Sequence, residues 1–259
     1  MTLEKKRYWP KGLPRLLTVP KTSLYYNLEV AATRYPDKPA IVFYDSTLSY
    51  AELLKQVEYL AGFLQSECGV APGDRVGLYS QNCPQYVVAY YAILRAQAVV
   101  VPVNPMNLTE ELHYCVTDSG ARTVLASQEL CKQAEPLLGS GDLDQLVVHA
   151  YSDYLTETTD LPVPQAVRET RQDYTGPGIT LWRDALAREL SPEPFEGKHD
   201  DLCVIGYTSG TTGKPKGCVH THASVLAAVA GSALWRGGSP AFSSLAIAPL
   251  FHFLGMQGA

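Results

Sequence analysis

Between Arg75 and Ala150, short apolar runs alternate with longer stretches that carry helical spacing. "RVGLYS" from Arg75, "VVVPV" from Val99, "RTVLAS" from Arg122 and "QLVVHA" from Gln145 are continuous enough to be strands buried on both faces. Between them stand "PQYVVAYYAILRAQ" from Pro84, with proline in its first turn, and "EELHYCVTDS", opened by Thr109 and closed by Gly120. Ser127 opens a further helix. Strands separated by helical crossovers imply parallel pairing with right-handed connections. The fold class is therefore α/β, a layered α/β/α arrangement around a mainly parallel sheet.

The flanks extend this pattern. Residues from Ser23 to Tyr35 carry helical spacing and stop before Pro36. "AIVFYDSTLSY" from Ala40 predicts a strand, a tight turn at Asp45 and Ser46, and a return strand. Ser49 and Glu52 have capping-box spacing ahead of an amphipathic helix running to Gly69. Tyr151 to Gly178 has no sustained period and reads as a surface excursion, after which "LWRDALAREL" from Leu181 predicts a short helix. The Pro- and Glu-containing stretch from Ser191 to Asp200 suggests a boundary. Beyond it "DLCVIGY" from Asp201 predicts a strand, "SVLAAVAGSALW" from Ser224 a helix and "SLAIAP" from Ser244 a strand. This divides the chain into an arm over 1–22, a first α/β subdomain over 23–190 with its excursion at 151–178, and the beginning of a second over 201–259. The end at Ala259, inside an apolar, glycine-containing stretch with no closing helix, reads as a truncation.

Composition narrows the function classes. Lys+Arg total 21 against Asp+Glu 26 in 259 residues, a formal net charge of -5. Such a balance argues against broad nucleic-acid or anionic-membrane binding, which need many basic residues together. A phosphate would have to be bound locally. Cysteines at 68, 83, 115, 131, 203 and 218 form neither a C-x-x-C pair nor a cluster and read as free thiols of a reducing cytoplasm. "MTLEKKRYWPKGLP" lacks the apolar core of a secretory signal, and the longest apolar stretch, Tyr86 to Val103, is interrupted by Arg95, Gln97 and Pro102. A cytoplasmic location follows, with a peripheral membrane contact and a homodimer left open.

One stretch fits no core. "YTSGTTGKPKG", from Tyr207, follows a buried strand and is built of glycine, hydroxyl residues and lysine. A tight phosphate site needs backbone N–H groups that can approach oxygen, added hydroxyl donors and local cations. Gly210, Gly213 and Gly217 would permit the approach, Thr208, Ser209, Thr211 and Thr212 would supply hydroxyls, and Lys214 and Lys216 the charge. A loop leaving a buried strand also opens at the carboxyl edge, where open α/β sheets bind ligands. The G-x-x-x-x-G-K-[ST] phosphate loop does not fit. With Lys214 as its lysine, Thr208 stands at the first glycine and Pro215 replaces the metal-binding hydroxyl. An ordinary hairpin tip would explain the glycines and threonines, but not two lysines around a proline.

This loop resembles the signature of the adenylate-forming superfamily of acyl- and aryl-CoA ligases, nonribosomal peptide adenylation domains and firefly luciferases. "VVVPVNPMNLTEELHYCVTDSGA" from Val99 and "PLFHFLGM" from Pro249 resemble two further segments of that family, in the same order. The resemblance implies an N-terminal portion of the adenylate-forming fold. It also implies ATP-dependent activation of a carboxylic acid through an acyl-adenylate, with Mg²⁺ and coenzyme A as the other participants. Thr208, Ser209, Gly210, Thr211, Thr212, Gly213 and Lys214 would stabilise the leaving pyrophosphate. Lys216 would either assist or stay solvated. His252 would stand beside the substrate carboxylate and the α-phosphate. Phe251 and Phe253 either line an acyl pocket or pack in the core. His220 and His222 read as a strand end and a helix start rather than a metal pair, and no residue is assigned to a metal. Several segments look most like bacterial long- or medium-chain fatty-acyl-CoA ligases, although aryl-acid CoA ligases share much of this. The family's later motifs for Mg²⁺ and ribose, its hinge and its C-terminal domain with a catalytic lysine are not in the sequence. The resemblance therefore implies a piece that is inactive alone. Two other classes stay open: a stand-alone nucleotide-binding module, and an interaction piece that self-associates through an apolar face.

Overall fold

The structure, a computed structural model, describes residues 9–10, 12–208, 214–237 and 239–258, without the side chains of 257 and 258. Ser23 caps α1 (Leu24–Arg34) by accepting from the Tyr26 N–H at 3.2 Å. β1 (Pro39–Phe43) and β2 (Ser46–Ser49) then pair antiparallel in a sheet of their own. Their turn falls at Tyr44 and Asp45, both at positive φ, one residue earlier than Asp45 and Ser46. The capping box of α2 (Tyr50–Ser66) forms as the spacing predicts. The Glu52 N–H donates to Ser49 Oγ at 3.2 Å and the Ser49 N–H donates to Glu52 Oε2 at 2.8 Å.

The alternating region gives β3 (Arg75–Tyr79), α3 (Pro84–Arg95), β4 (Val99–Val103), α4 (Thr109–Ser119), β5 (Thr123–Ser127), α5 (Cys131–Ser140) and β6 (Gln145–His149). The excursion holds a single 3-10 turn, Tyr151–Tyr154, and the short α6 (Gln165–Arg168). Then come β7 (Ile179–Leu181), α7 (Trp182–Ala187), β8 (Leu202–Thr208), β9 (Lys216–Thr221), α8 (His222–Arg236) and α9 (Phe253–Gly258). Seven strands share one sheet in the order β7-β6-β5-β3-β4-β8-β9. All neighbours run parallel except β8 and β9, an antiparallel pair. The chain's crossovers leave in opposite directions from β3 and β5, so the strand order reverses between them.

Side-chain alternation sorts the core onto two faces. Val76, Leu78, Val100, Leu125, Val147 and Val204 pack towards the layer of α1, α2 and α3. Val103, Val124, Ala126, Leu146 and Val148 pack against Leu112, Cys115 and Val116 of α4 and Cys131, Ala134 and Leu137 of α5. Arg95, buried in α3, donates to Glu58 Oε1 and to the Glu193 carbonyl, each at 2.8 Å, and lies over the rings of Tyr25 and Phe195. The segment leading into β8 is thereby held against the first helical layer.

Four sequence expectations need correction. Residues 244–249 form no strand: the Ala246 and Ala248 carbonyls accept from the Asn82 side chain at 3.0 Å, and Leu245 and Ile247 stand exposed. An extended run is a strand only when another backbone pairs with it. Residues 253–258, where no helix was expected, are helical as α9. β7 was not foreseen, because three residues are too few to show a period; it pairs with β6 through Leu146 and Ile179. α7 stops at Ala187 instead of continuing to Leu190, because Glu189 takes a positive φ and brings the Leu190 backbone onto α2. At that contact a β-carbon on Gly62 would overlap the Leu190 carbonyl. Gly62→Ala should therefore lower stability by about 1–3 kcal/mol in urea unfolding, despite its better helix propensity.

Two buried histidines make stability depend on pH. His222 accepts from the Leu24 N–H through Nδ1 at 3.1 Å, and burial lowers its pKa from the ordinary 6.5 to about 4. His149 has no partner for either ring nitrogen, and burial lowers it to about 3. Both are neutral in the folded chain at pH 5, whereas the unfolded chain protonates them near pH 6.5. The unfolded state thus binds more protons below that pH, and folding stability falls as pH drops towards 4. The loss should be on the order of a few kcal/mol between pH 7 and pH 4, read from urea midpoints. The slope should become shallower in His149→Phe and in His222→Asn, which keeps an acceptor for Leu24.

Candidate functional site

β8 carries the chain from the core to the carboxyl edge of the sheet. Cys203 and Val204 are buried, Tyr207 is half-buried and Thr208 is exposed. Ser209, Gly210, Thr211, Thr212 and Gly213 lie outside the described residues. The description resumes at Lys214, and the chain returns as β9 with Lys216 opposite Thr208. Thr208 Oγ1 donates to the Lys216 carbonyl at 3.5 Å, a long bond at the neck of the hairpin. The predicted phosphate loop thus connects the two strands of an antiparallel pair, the first of which lies parallel to β4.

α4 supports this neck. Tyr114 Oη donates to the Pro215 carbonyl at 2.8 Å, and Tyr207 Oη donates to Asp118 Oδ2 at 2.7 Å. The two tyrosine rings meet edge to face, 6.2 Å apart. Burial, with the bond to the Asp118 carboxylate adding to it, holds the Tyr207 phenol protonated well above its ordinary range. Lys214 Nζ lies 5.5 Å from the Tyr114 ring centroid, a cation–π contact that keeps an exposed cation beside the loop. Lys216 is exposed within β9. Gly217 also lies in β9. A β-carbon there would come 3.0 Å from Ile205 Cγ2 and 3.4 Å from Tyr207 Cζ, so its small size lets those side chains cross the strand.

The histidine segment reaches the same strand. Asn82, in the loop after β3, donates to the Ala246 and Ala248 carbonyls and accepts from the Leu250 N–H at 2.7 Å. Tyr86 Oη donates to the Leu250 carbonyl at 3.1 Å. The chain then turns at His252, whose N–H donates to the Pro249 carbonyl at 3.1 Å and whose Nδ1 accepts from Leu254 N–H at 3.3 Å. His252 itself is exposed at the start of α9. Gly255 is obligatory for this turn, since a β-carbon would overlap the Pro249 carbonyl. Phe251 and Phe253 both pack against the core, and the Phe253 ring occupies the space a side chain on Gly206 would need. It also lies against His220, with ring centroids 4.3 Å apart. Gly206 precedes Thr208 by two residues, so the His252 turn and the exit to the loop share one end of β8.

His220 and His222 have different surroundings. The first ends β9 under Phe253, and the second opens α8 with its Nδ1 bonded to the α1 backbone. Among the described residues no group of three or more His, Cys, Asp or Glu is placed to hold a metal ion. The supports Asn82, Tyr114 and Asp118 were not singled out from sequence. Asn82 was the most accessible of them, as a polar residue just past a buried strand at the edge where α/β sheets bind ligands. Replacing it by alanine removes three hydrogen bonds at once. Asn82→Ala should speed exchange of the Leu250 amide about tenfold, the equivalent of one net hydrogen bond, while leaving amides of β3 unchanged.

The family model for AMP-binding enzymes matches residues 28–259. The chain is 32% identical over 257 residues to a long-chain-fatty-acid–CoA ligase of Bacillus subtilis, covering 96% of this chain and 45% of the relative. It is 31% identical to the enzyme of the same name from Salmonella typhimurium, covering 90% of this chain and 43% of that one. It thus spans less than half the length of these curated relatives. Among solved structures, a long-chain-fatty-acid-CoA ligase from Archaeoglobus fulgidus superposes with a TM-score of 0.74 at 25% identity over 96% of this chain and 47% of its own. An anthranilate CoA ligase superposes with a TM-score of 0.73 at 22% identity, over 93% of this chain and 43% of its own, a likeness of fold alone. No helix among the described residues is long and apolar enough to cross a membrane. With the match extending over most of its length, the chain belongs to the AMP-binding enzyme family.

Proposed function

We propose that this chain is the N-terminal part of a fatty-acid–CoA ligase that forms AMP, and that it is inactive alone. The observation carrying this reading is the packing of Phe253 onto Gly206, which brings the His252 turn to the strand that ends at Thr208 and the loop. A site for joining a carboxylate to a nucleotide needs such a meeting of an acid-holding group and a phosphate-holding one. In the first step a carboxylate oxygen attacks the α-phosphorus of ATP, the bond to the bridging oxygen breaks, and pyrophosphate leaves. Thr208 would donate its hydroxyl, and Lys214 and Lys216 their charge, to that leaving group, together with Ser209, Gly210, Thr211, Thr212 and Gly213. His252 would hold the carboxylate beside the α-phosphate. In the second step the coenzyme A sulfur bonds to the acyl carbon, the acyl–phosphate bond breaks, AMP departs and the thiol proton is released. ATP supplies the energy of its anhydride; Mg²⁺, which accompanies it, has no ligand set among the described residues. The cytoplasmic location belongs to the same proposal, as does a division at 191–200 that separates two stretches of chain but not two sheets, since β8 and β9 join the sheet of β3 to β7.

Acid-dependent exchange of pyrophosphate into ATP tests it, with palmitate, octanoate and benzoate. The assay compares this chain with the product of its reading frame extended downstream. Exchange only in the longer protein, strongest with palmitate, is the expected outcome. Exchange in the short chain would disprove the inactivity, and preference for benzoate would move the enzyme to the aryl-acid ligases. In the longer protein, Lys214→Ala should lower exchange at least tenfold, about 1.4 kcal/mol of transition-state stabilisation, and change fatty-acid binding less than twofold. Equal losses in both would mean that Lys214 acts through folding.

A further inference from the structure

A cavity of about 580 Å³ lies on the far side of the first helical layer, between the β1–β2 hairpin, α2, the Tyr151–Tyr154 turn and α7. No residue of β8, β9 or α9 lines it. Phe43, Leu48, Tyr59, Trp182 and Leu186 give it apolar and aromatic walls, Glu52 adds a carboxylate beside β2, and the half-open space has the volume of a small-molecule site. Trp182 Nε1 is buried beside the Tyr154 hydroxyl without a well-formed hydrogen bond, a donor that an incoming acceptor would satisfy. An adjoining cleft of about 410 Å³ is lined by Arg168, Arg171, Arg183, Asp153 and Asp173, with Ser152 and Thr170. Chamber and cleft share Asp153, Arg171 and Arg183.

The three arginines are unequally engaged. Arg171 pairs with Asp153 at the junction, leaving Asp153 Oδ2 buried and unpartnered. Arg183 lies 3.1 Å from Asp184 and 3.7 Å from Asp173, the second distance too long for a firm hydrogen bond. Arg168 is exposed and in no ion pair among the described residues. Arg168, Arg171 and Arg183 and the carboxylates of Asp153 and Asp173 line the cleft, Asp184 pairs with Arg183 from outside that lining, and Arg168 and Arg183 retain donors for an incoming anion. Guanidinium groups bind carboxylate and phosphate in forked pairs and hold them where a lysine would not.

We propose that chamber and cleft together form a binding site for an amphipathic organic anion, its apolar body in the chamber and its single carboxylate or phosphate against Arg168 and Arg183. The site is separate from the β8 end and does not rest on the ligase reading. Trp182 is a built-in reporter, since the other two tryptophans, Trp9 and Trp235, can be replaced by phenylalanine. In that background, dodecanoate and dodecyl phosphate, kept below their micellar concentrations and without ATP, should shift Trp182 emission saturably. Whichever binds tighter identifies the head group. Both should bind at least tenfold tighter than dodecanol or dodecyltrimethylammonium. Arg168→Gln with Arg183→Gln should weaken the anions at least fivefold and leave dodecanol unchanged, and Arg168→Lys with Arg183→Lys should recover only part of the loss. Lys214→Ala should have no effect on this signal, which separates the chamber from the site at β8. Equal affinity for all four head groups, indifference to the arginine replacements, or no saturable change at Trp182 would each overturn the proposal.

Discussion

The position of β3 governs the rest of the molecule. Val76, Leu78 and Tyr79 have no exposed surface, and at Gly77 a β-carbon would lie 2.8 Å from Val124 Cγ2 of the neighbouring strand. A strand covered on both faces and both edges has no water for its backbone, so every N–H and carbonyl in it must pair with β4 or β5. That demand sets the register of the central strands and sends their connections to the two helical layers. It also brings the loop after β3, with Asn82, to the same edge as Thr208 at the end of β8. The candidate site is a consequence of how the sheet closes around its middle strand.

Much of this was legible in the residues. The apolar runs at 75–79, 99–103, 123–127 and 145–149 could belong only to buried strands, and Ser49, Pro84 and Gly120 mark helix ends by their own chemistry. What escaped depends on partners remote in sequence. "SLAIAP" has the composition of a strand, yet its carbonyls meet a side-chain amide, which no local pattern encodes. α9 is short and rich in glycine, and it exists because Gly255 lets the turn close on Pro249.

The site divides along the same line. The loop could be singled out as a phosphate-site candidate from composition alone, because glycine, hydroxyl residues and two lysines around a proline follow a buried strand there. Its supports could not, since Tyr114 and Asp118 look like ordinary residues of an amphipathic helix until Tyr207 and Pro215 are seen to bond them. The same holds for Gly206, which in sequence is one more glycine near the loop and in three dimensions is the floor under Phe253.

Asn82 bonds to groups 164 to 168 residues further along the chain. Ribosomes add about 5–20 residues each second, so Asn82 is made on the order of 10–30 s before its partners. β3 to β7 can pair in that interval with the receiving side chain already in place. The histidine turn then docks onto a finished surface, so its geometry is templated by the older part of the chain. A defect in the early sheet would reach His252 even though every residue around the histidine were intact.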